Sequence, residues 1–442
     1  HLEQPELAAG DVPGRHQQWP QTVRCRTRLL GPAAEAQRRI GRCGHVLSFG
    51  VAVVMDVPFG SPSAVRHATP VTSKGEALPR SPAGLALGPA RPGMDAGYPR
   101  TMAPSVSAAE TSAGLVTPRE TCDDCGFDSM RWSRQDAIRT VEKAEWLTAL
   151  AVERLPDGVW LTRPDRSMPA IGEHVDHLAS VMATWLMRAE FLVDAPGIDV
   201  AESPEQPIIG DGANLDRANS LEALRVMASR HGAYLRSVDE ATWANAITVG
   251  GESFSLDWGV RHSAHEVMHH LWAIAGVRQR LGDVLTLGGG TVASLHASGG
   301  GVPKPEIPSA EIDVGGVVGD AQAARQYHGR PWQALCLWST EVVEAWAAEG
   351  HPIFPGAAGE NLSLSGLDWS QIRAGLIVQV GDMTARVSAP AVPCTKNSRW
   401  FSDRDHRRLG HDVSPGRARW YASVLTPGRV EPGDPVSVHS GG

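Results

Sequence analysis

The interval at which apolar residues recur changes once along this chain, and the change follows Gly282. From Arg131 to Gly282 the interval is that of amphipathic helices. After Gly282, short alternating runs of apolar and polar residues are cut by Gly and Pro, which is typical of strands and turns. The 442 residues therefore predict a multidomain chain, in which an all-α four-helix bundle precedes a mostly β domain, a barrel or a sandwich, with a few helices.

The segment before residue 116 has neither period and is rich in Arg, Pro, Gly, Ala and Ser. We expect residues 1–115 to form no packed core, either as a disordered extension or as the product of a mis-assigned start. The bundle is predicted over residues 116–284, a linker over 285–290 and the β domain over 291–442.

Charge and cysteine content exclude several classes of protein. The net charge of −8 provides no basic field for nucleic acid. No apolar run reaches the roughly 18 residues that a membrane span requires, and six cysteines are too few for a disulfide framework in a chain this long. We therefore expect a cytoplasmic protein with reduced thiols, a small-molecule substrate, and neither nucleic-acid nor membrane partners.

Four helices are predicted in the bundle from apolar spacing and from capping and breaking residues. Their predicted ranges are Arg134–Arg154, Ala170–Val193, Leu221–Val238 and Leu256–Leu281.

The fourth helix carries the densest group of metal-ligating side chains, in R-H-S-A-H-E-V-M-H-H-L. Residues four apart share one helix face, so His265 with His269 forms one chelating pair. Glu266 with His270 forms another, about 100° round the helix. His177 on the second helix could complete a set of three ligands and leave one position for water or a thiolate.

A C-x-x-C sequence, Cys122 and Cys125, precedes the first helix. Alone it is half of a zinc site, a redox pair or simple local structure. No second C-x-x-C follows, and the spacing does not identify its partners.

Two motifs together resemble the DinB-like family of metal-binding four-helix bundles. They are E-x-x-x-H ending at His177 and H-E-V-M-H-H-L on the fourth helix. That family includes the mycothiol-dependent maleylpyruvate isomerases and other thiol-dependent transferases. The resemblance implies a divalent metal, with zinc expected, held by His177 and two ligands four apart, and it implies a low-molecular-weight thiol as a possible second cofactor. The flanking residues favour Glu266 and His270 as that pair, with His265 and His269 as the alternative.

The β domain contains predicted strands and helices between its turns. The strands are Thr291–Ala297, Glu311–Val318, Trp332–Ser339, Leu376–Val380, Ala385–Ala389 and Pro435–Val438, and the helices are Thr340–Glu349 and Pro415–Leu425.

Cys394 follows a strand-like run in P-C-T-K-N, with Lys396 and Arg399 close behind it. Basic neighbours favour the thiolate, so Cys394 is a candidate nucleophile or soft-metal ligand. Further candidate residues occupy two glycine-bounded loops: Asp320, Arg325, His328, Arg330, Glu360 and Asn361. Cys336 lies in an apolar run and is predicted to be buried in the core.

Several motifs follow one another in the β domain, in this order: S-G-G-G-V-P-K, V-V-G-D-x-Q with R-x-x-H-G-R-P, F-P-G-A-A-G-E-N-L, P-C-x-K and G-R-V-x-P-G-D-P-V. Together they resemble the MOSC domain, named after the C-terminal domain of molybdenum-cofactor sulfurase. The resemblance implies a β-barrel-like fold and molybdenum-ion binding, with Cys394 as a molybdenum-cofactor ligand or a sulfur carrier. The basic residues Arg325, His328, Arg330, Lys396 and Arg399 would then form a cationic rim for the phosphate of a pterin cofactor.

Four functions follow from these resemblances. The first is reduction and detoxification of N-hydroxylated compounds by a molybdenum-dependent oxidoreductase, served by a separate reductase. The second is persulfide transfer at Cys394; the sulfurases of this family have a pyridoxal-phosphate domain, and here a separate cysteine desulfurase must supply the sulfur. The third is a metal- and thiol-dependent isomerase or transferase centred on the bundle. The fourth makes the bundle a non-catalytic docking module.

Overall fold

The computed structural model describes residues 108–110, 116–194, 196–197, 199–200, 216–249 and 252–441. The prediction for residues 1–115 therefore lies outside the described residues, apart from three residues of a short strand. None of the helices among the described residues is long and apolar enough to cross a membrane.

Five helices build the N-terminal region. They are α1 (Arg134–Glu142), α2 (Ala144–Ala151), α3 (Ile171–Asp194), α4 (Arg217–Ser237) and α5 (Leu256–Arg280). Helix α3 packs against α4 and α5, α1 packs against the same two helices, and α2 continues from α1. The four-helix prediction is confirmed, with one position of the bundle filled by two consecutive helices.

The structure corrects two details of the predicted helices. The first predicted helix is broken at Lys143, whose φ of −100° and ψ of 4° are not helical. The third begins earlier than predicted, because the carboxylate of Asp216 accepts the N–H of Ala218 and caps it. Helix α5 ends as predicted, with Gly282 at a φ of +89°, a conformation that suits glycine at a helix C-terminus.

Short strands flank the helices. They are β1 (Ala108–Glu110), β2 (Val116–Pro118), β3 (Thr121–Cys122), β4 (Phe127–Asp128), β5 (Asp199–Val200), β6 (Ala246–Val249) and β7 (Glu252–Ser255). Strands β3 and β4 form an antiparallel pair around the C-x-x-C turn, with Cys122 opposite Phe127. We call residues 121–128 the cysteine hairpin.

Eleven further strands and one helix make up the C-terminal region. They are β8 (Thr286–His296), β9 (Glu306–Ile307), β10 (Ala310–Asp313), β11 (Gly316–Val317), β12 (Leu335–Ser339), α6 (Thr340–Ala348), β13 (Leu362–Ser365), β14 (Leu376–Val380), β15 (Met383–Pro390), β16 (Trp420–Thr426), β17 (Gly428–Val430) and β18 (Pro435–Ser440).

Seven of these strands close into a barrel in the order β8, β13, β12, β16, β15, β14 and β18, with β18 pairing back to β8. Only β12 and β13 are parallel, and α6 connects them. Strand β9 extends the sheet beside β8, and β10, β11 and β17 form a separate three-stranded sheet. The barrel prediction is confirmed.

Two sequence predictions are wrong in this region. Residues 286–290, predicted as a linker, form the first part of β8, because they pair with the backbone of β18. Pro415–Leu425, predicted as a helix, contains most of β16, whose backbone bonds to β12 and β15. A local apolar run cannot distinguish these outcomes when the deciding hydrogen bonds are made to distant strands.

The bundle and the barrel share a buried seam. The apolar core of the bundle continues into five barrel side chains: Trp332, Cys336, Ala389, Ala391 and Tyr421. The Trp332 indole N–H donates to the hydroxyl of Thr140 on α1 over 3.0 Å. Cys336 is buried, as predicted. The two regions therefore pack through apolar surface rather than through a solvated linker.

Candidate functional site

Helix α5 directs its two ligand pairs at different partners. His265 and His269 face the cysteine hairpin, and His269 Nδ1 lies 3.5 Å from the thiol sulfur of Cys122. Glu266 and His270 face α3. The two alternative ligand pairs that the sequence left open therefore lie in two separate clusters.

The cluster shared with α3 contains His177, Glu266 and His270, whose donor atoms all lie within 4.8 Å of one another. His174, one turn before His177, adds an Nδ1 atom 3.1 Å from Nδ1 of His270. Burial lowers the pKa of His270 to about 4, so the imidazole is neutral. Burial alone would raise the pKa of Glu266, but hydrogen bonds from His262 and His270 hold it well below its usual value. A neutral imidazole and an ionised carboxylate are the forms that bind metal.

The second cluster contains Cys122, Cys125, His265 and His269, again with donor atoms within 4.8 Å of one another. Both cysteines are free thiols. Hydrogen bonding from Cys125, with further bonds from the two histidines, lowers the pKa of the Cys122 thiol. The hydrogen bond with Cys122 raises the pKa of the Cys125 thiol. One thiolate is thus favoured even before any cation binds.

Glu120 links the two clusters. Its Oε1 accepts the Nδ1–H of His262 over 2.7 Å and the Nδ1–H of His265 over 2.5 Å. The other ring nitrogen of His262, Nε2, lies 3.1 Å from Oε1 of Glu266. Burial opposes ionisation of Glu120, but attraction to His262 and bonds from both histidines lower its pKa to about 2. Those interactions outweigh burial at the histidines and raise the pKa of His262 to about 9 and that of His265 to about 10.

Sequence reasoning missed Glu120. The available signal was a carboxylate two residues before Cys122, directly before the strand that carries the thiol. Trp185 and Trp258 pack against His262, with ring centroids 5.1 and 4.8 Å from its imidazole. These tryptophans enclose the buried histidine that joins the two clusters.

Cys394 lies in the barrel region, half-buried, directly before a short 3₁₀ helix (Thr395–Trp400). Burial raises the pKa of the Tyr421 hydroxyl above its usual range, and the charges of Cys336 and Cys394 add to this effect. The Tyr421 hydroxyl is 3.2 Å from Nδ1 of His328. The Cys394 thiol is therefore within electrostatic range of a Tyr–His pair.

Cations surround this pair. Burial, together with the charges of Arg419, Arg330, Lys304 and Lys396, lowers the pKa of His328 to about 4. Arg419, Arg330 and Lys304 are themselves buried. We call these four cations and His328 the basic cluster.

The structure brings together only part of the predicted cationic rim. His328, Arg330 and Lys396 belong to the basic cluster, as described above. Arg325 instead turns toward the bundle, where its guanidinium is 3.5 Å from Asp136. Arg399 donates to the backbone oxygen of Val302 and stacks over the ring of Trp400.

Three other predicted residues are engaged in a network inside the barrel. Asp320 accepts the ammonium of Lys304 over 2.6 Å and the side-chain amide of Asn361 over 3.1 Å. Glu360 is fully buried and accepts the N–H of Gly356 over 2.6 Å, and burial raises its pKa. The ion pair with Asp320 fixes Lys304 within the basic cluster.

Lys304, Arg419 and Tyr421 were not predicted as site residues. Lys304 was available in S-G-G-G-V-P-K. Arg419 and Tyr421 lay in the segment that was mistaken for a helix, so their interactions with His328 could not be inferred.

Fold and geometry thus define a helical bundle bearing two clusters of metal-ligating side chains, joined to a barrel with a half-buried thiol and a basic cluster. Residues 141–274 match the DinB superfamily model and residues 324–437 match the MOSC domain model. The chain therefore contains a DinB-superfamily region followed by a MOSC domain.

Two curated proteins resemble the chain. Protein YiiM of Escherichia coli (strain K12) is 35% identical over 133 residues, which cover 28% of this chain and 57% of that protein. The uncharacterised protein YflK of Bacillus subtilis (strain 168) is 30% identical over 125 residues, covering 28% and 56%. The chain spans a little over half the length of these relatives.

Two solved structures are similar to part of the chain. YiiM from Escherichia coli has 28% identity and a TM-score of 0.27, covering 34% of this chain and 69% of that one. YfiT from Bacillus subtilis, which has an unusual four-helix bundle topology, has 20% identity and a TM-score of 0.30, covering 34% and 87%.

Proposed function

We propose that the MOSC domain binds a molybdenum cofactor through Cys394 and reduces N-hydroxylated compounds with electrons from a separate reductase. The observation that carries this proposal is a free, half-buried thiol within electrostatic range of a Tyr–His pair that is itself under the influence of a basic cluster. Thiolate sulfur suits a soft, high-valent metal, and converging cations suit a phosphate.

The residues present fit such a group. Arg330 and Arg419 are buried, yet the Nε–H of each has no hydrogen-bond partner among the described residues. Buried donors without partners cost about 1–3 kcal/mol each, so an anion that accepts from them would be stabilised. Cys394 would supply the sulfur ligand, and Arg330, Arg419 and Lys396 would hold the phosphate. When bound, the cofactor would supply the redox chemistry: reduction of N–OH to N–H consumes two electrons and two protons and releases water.

Molybdenum and pterin analysis of gently purified protein from a cofactor-competent host tests this proposal. We expect molybdenum in the native chain and its loss in Cys394→Ser. The control is Cys336→Ala, which removes the other barrel thiol and should keep the metal. A native chain without molybdenum, or Cys394→Ser with a full complement, would refute the proposal.

Sulfur transfer at Cys394 is the alternative for the same thiol. After incubation with a cysteine desulfurase and cysteine, mass spectrometry should then show the Cys394 peptide heavier by one sulfur atom. An unmodified peptide, in a protein whose Cys394 alkylates readily, would exclude the carrier role.

A second function is favoured by the cluster of His177, Glu266 and His270. We propose that these residues hold a divalent metal and leave a position for a low-molecular-weight thiol, as in a thiol-dependent isomerase or transferase. The double variant His177→Ala/His270→Ala should lose one equivalent of metal and any thiol binding measured by calorimetry. If the native chain binds metal there but no thiol, the bundle is better explained as a docking module.

A further inference from the structure

Two thiols and two imidazoles converge between the cysteine hairpin and α5, in a cluster separate from the His177 set. We propose that Cys122, Cys125, His265 and His269 form a structural zinc site that fastens the hairpin to α5 at the seam with the barrel. This proposal is independent of the functions proposed above.

The spacing of the four residues is that of a zinc site with two cysteines and two histidines. Two residues separate the cysteines, and three separate the histidines on one helix face, within the ranges found in structural zinc sites. The cysteines lie in a tight turn, in which the N–H of Gly126 donates to the carbonyl of Cys122 over 2.9 Å. Gly126 has a φ of +77°, so the turn requires glycine there.

The donor atoms are close enough to surround one ion. All four lie within 4.8 Å of one another, and the Cys122 sulfur is 3.5 Å from His269 Nδ1. Zn–S bonds of about 2.3 Å and Zn–N bonds of about 2.0 Å place tetrahedral ligands roughly 3.3–3.8 Å apart. Side-chain adjustments of about 1 Å or less would therefore complete the site. Neither cysteine is used in a disulfide.

His265 is already oriented as a ligand. Glu120 accepts the proton on its Nδ1, so Nε2 is the nitrogen that a metal would bind once it displaces the Nε2 proton. That Nε2 atom is buried. A carboxylate that holds one ring nitrogen while the other binds metal is the usual support for a zinc-bound histidine.

The donor set selects the metal and its role. Thiolate and imidazole ligands suit Zn²⁺, whereas Ca²⁺ and Mg²⁺ take oxygen ligands. Four protein ligands complete a tetrahedron, and Cys125 is only 7% exposed, so no position remains for substrate.

The hairpin also contacts the barrel. The Arg386 guanidinium on β15 donates to the carbonyl oxygen of Cys125 over 3.4 Å. A cation bound to the hairpin would therefore fix the turn that lies between α5 and β15. We expect removal of the metal to loosen this part of the seam.

Cobalt substitution of the full chain tests the site. After chelation and dialysis, Co²⁺ should produce the visible absorption of a tetrahedral site and a near-ultraviolet thiolate-to-cobalt charge-transfer band. That band should weaken by about half in Cys122→Ser or Cys125→Ser and disappear in the double variant Cys122→Ser/Cys125→Ser. It should persist in His270→Ala, which disrupts only the other cluster, and in Cys394→Ser, which removes the barrel thiol.

His269→Cys guards against loss of the band through misfolding. It keeps four ligands and raises the thiolates from two to three, so the charge-transfer absorbance should increase by about half. Alkylation followed by peptide mapping gives a second readout: zinc should protect Cys122 and Cys125, and a chelator should expose them. No charge-transfer band in the native chain, a band that survives loss of both cysteines, or equal alkylation with and without zinc would overturn the proposal. Failure of His177→Ala/His270→Ala to lose metal would instead affect only the proposed bundle function.

Discussion

His231 should make the bundle sensitive to acid. It lies on α4 with 1% of its surface exposed, and its Nδ1 has no hydrogen-bond partner among the described residues. Burial lowers its pKa to about 3, from about 6.5 in an unfolded chain. The folded state therefore excludes a proton that the unfolded chain accepts. The contribution of neutral His231 to stability is present above pH 6.5 and is lost as the pH falls toward 3.

The size of the effect follows from the two pKa values of His231. Between about pH 7 and pH 5 the unfolded histidine becomes mostly protonated while the folded one stays neutral. The linkage relation gives a loss of about 2 kcal/mol over this interval. That figure depends little on the pKa of the folded histidine, because about pH 5 lies well above it.

His231→Leu removes the titrating group and replaces it with an apolar side chain of similar size. Urea unfolding followed by far-ultraviolet circular dichroism, at about pH 7 and about pH 5, gives the stability of each protein. Because other groups also titrate, the relevant quantity is the difference between the two acid losses. We expect the native chain to lose about 2 kcal/mol more than the variant.

His439→Leu is the matched control, since His439 is a half-buried histidine on β18 in the barrel. It should retain the acid loss of the native chain. If His231→Leu and the native chain lose equal stability between the two pH values, His231 is protonated in the folded state and the argument from burial fails.

Three further predictions concern packing. Asp320→Asn should destabilise the chain by about 3–5 kcal/mol in urea unfolding, because it leaves the ammonium of Lys304 buried without a counter-charge. Gly316→Ala should cost about 1–3 kcal/mol in the same assay from its φ of +111° alone, and more because the new Cβ would overlap the backbone oxygen of Ala334. Trp332→Phe should lower the thermal midpoint through loss of the 3.0 Å bond to Thr140, which contributes about 0.5–1.5 kcal/mol.

Each prediction has a control of the same residue type. Asp382 is exposed, so Asp382→Asn should be nearly neutral. Gly381 has a φ of +56° and open space where a methyl group would lie, so Gly381→Ala should cost less than Gly316→Ala. Trp346 is buried with an indole N–H that has no hydrogen-bond partner among the described residues, so Trp346→Phe should lose packing but no hydrogen bond. Equal losses within any pair would contradict the assigned cause.

Elements whose identity depends on local pattern were predicted well. Helix α5 differs from its predicted range by one residue at its end, and β14 (Leu376–Val380) matches its prediction. The apolar residues that recur at helical spacing along α3 are buried, among them Ile171, Leu178 and Met182. In each case the apolar spacing, together with a cap or a turn, determines the element within its own segment.

Elements that depend on distant partners were not predicted. Strand β16 is defined by its hydrogen bonds to β12 and β15, and a single-segment pattern contains neither. Arg419 was not predicted for the same reason, because its charge acts on His328 only once the barrel closes. Glu120 was not predicted either, because its role is to accept bonds from two histidines on α5.

Helix geometry explains why the sequence alone could not decide between the two ligand pairs of α5. A helix turns about 100° per residue, so consecutive pairs four residues apart point to different neighbours. His265 and His269 meet the cysteine hairpin, and Glu266 and His270 meet α3. Asking which of the two pairs binds metal assumed that the helix carries a single site. Each pair instead has its own neighbour. What separates them is the donor set that each neighbour brings: two thiols complete a closed tetrahedron, whereas one imidazole leaves a position open. A structural site and a reactive site can therefore share one helix.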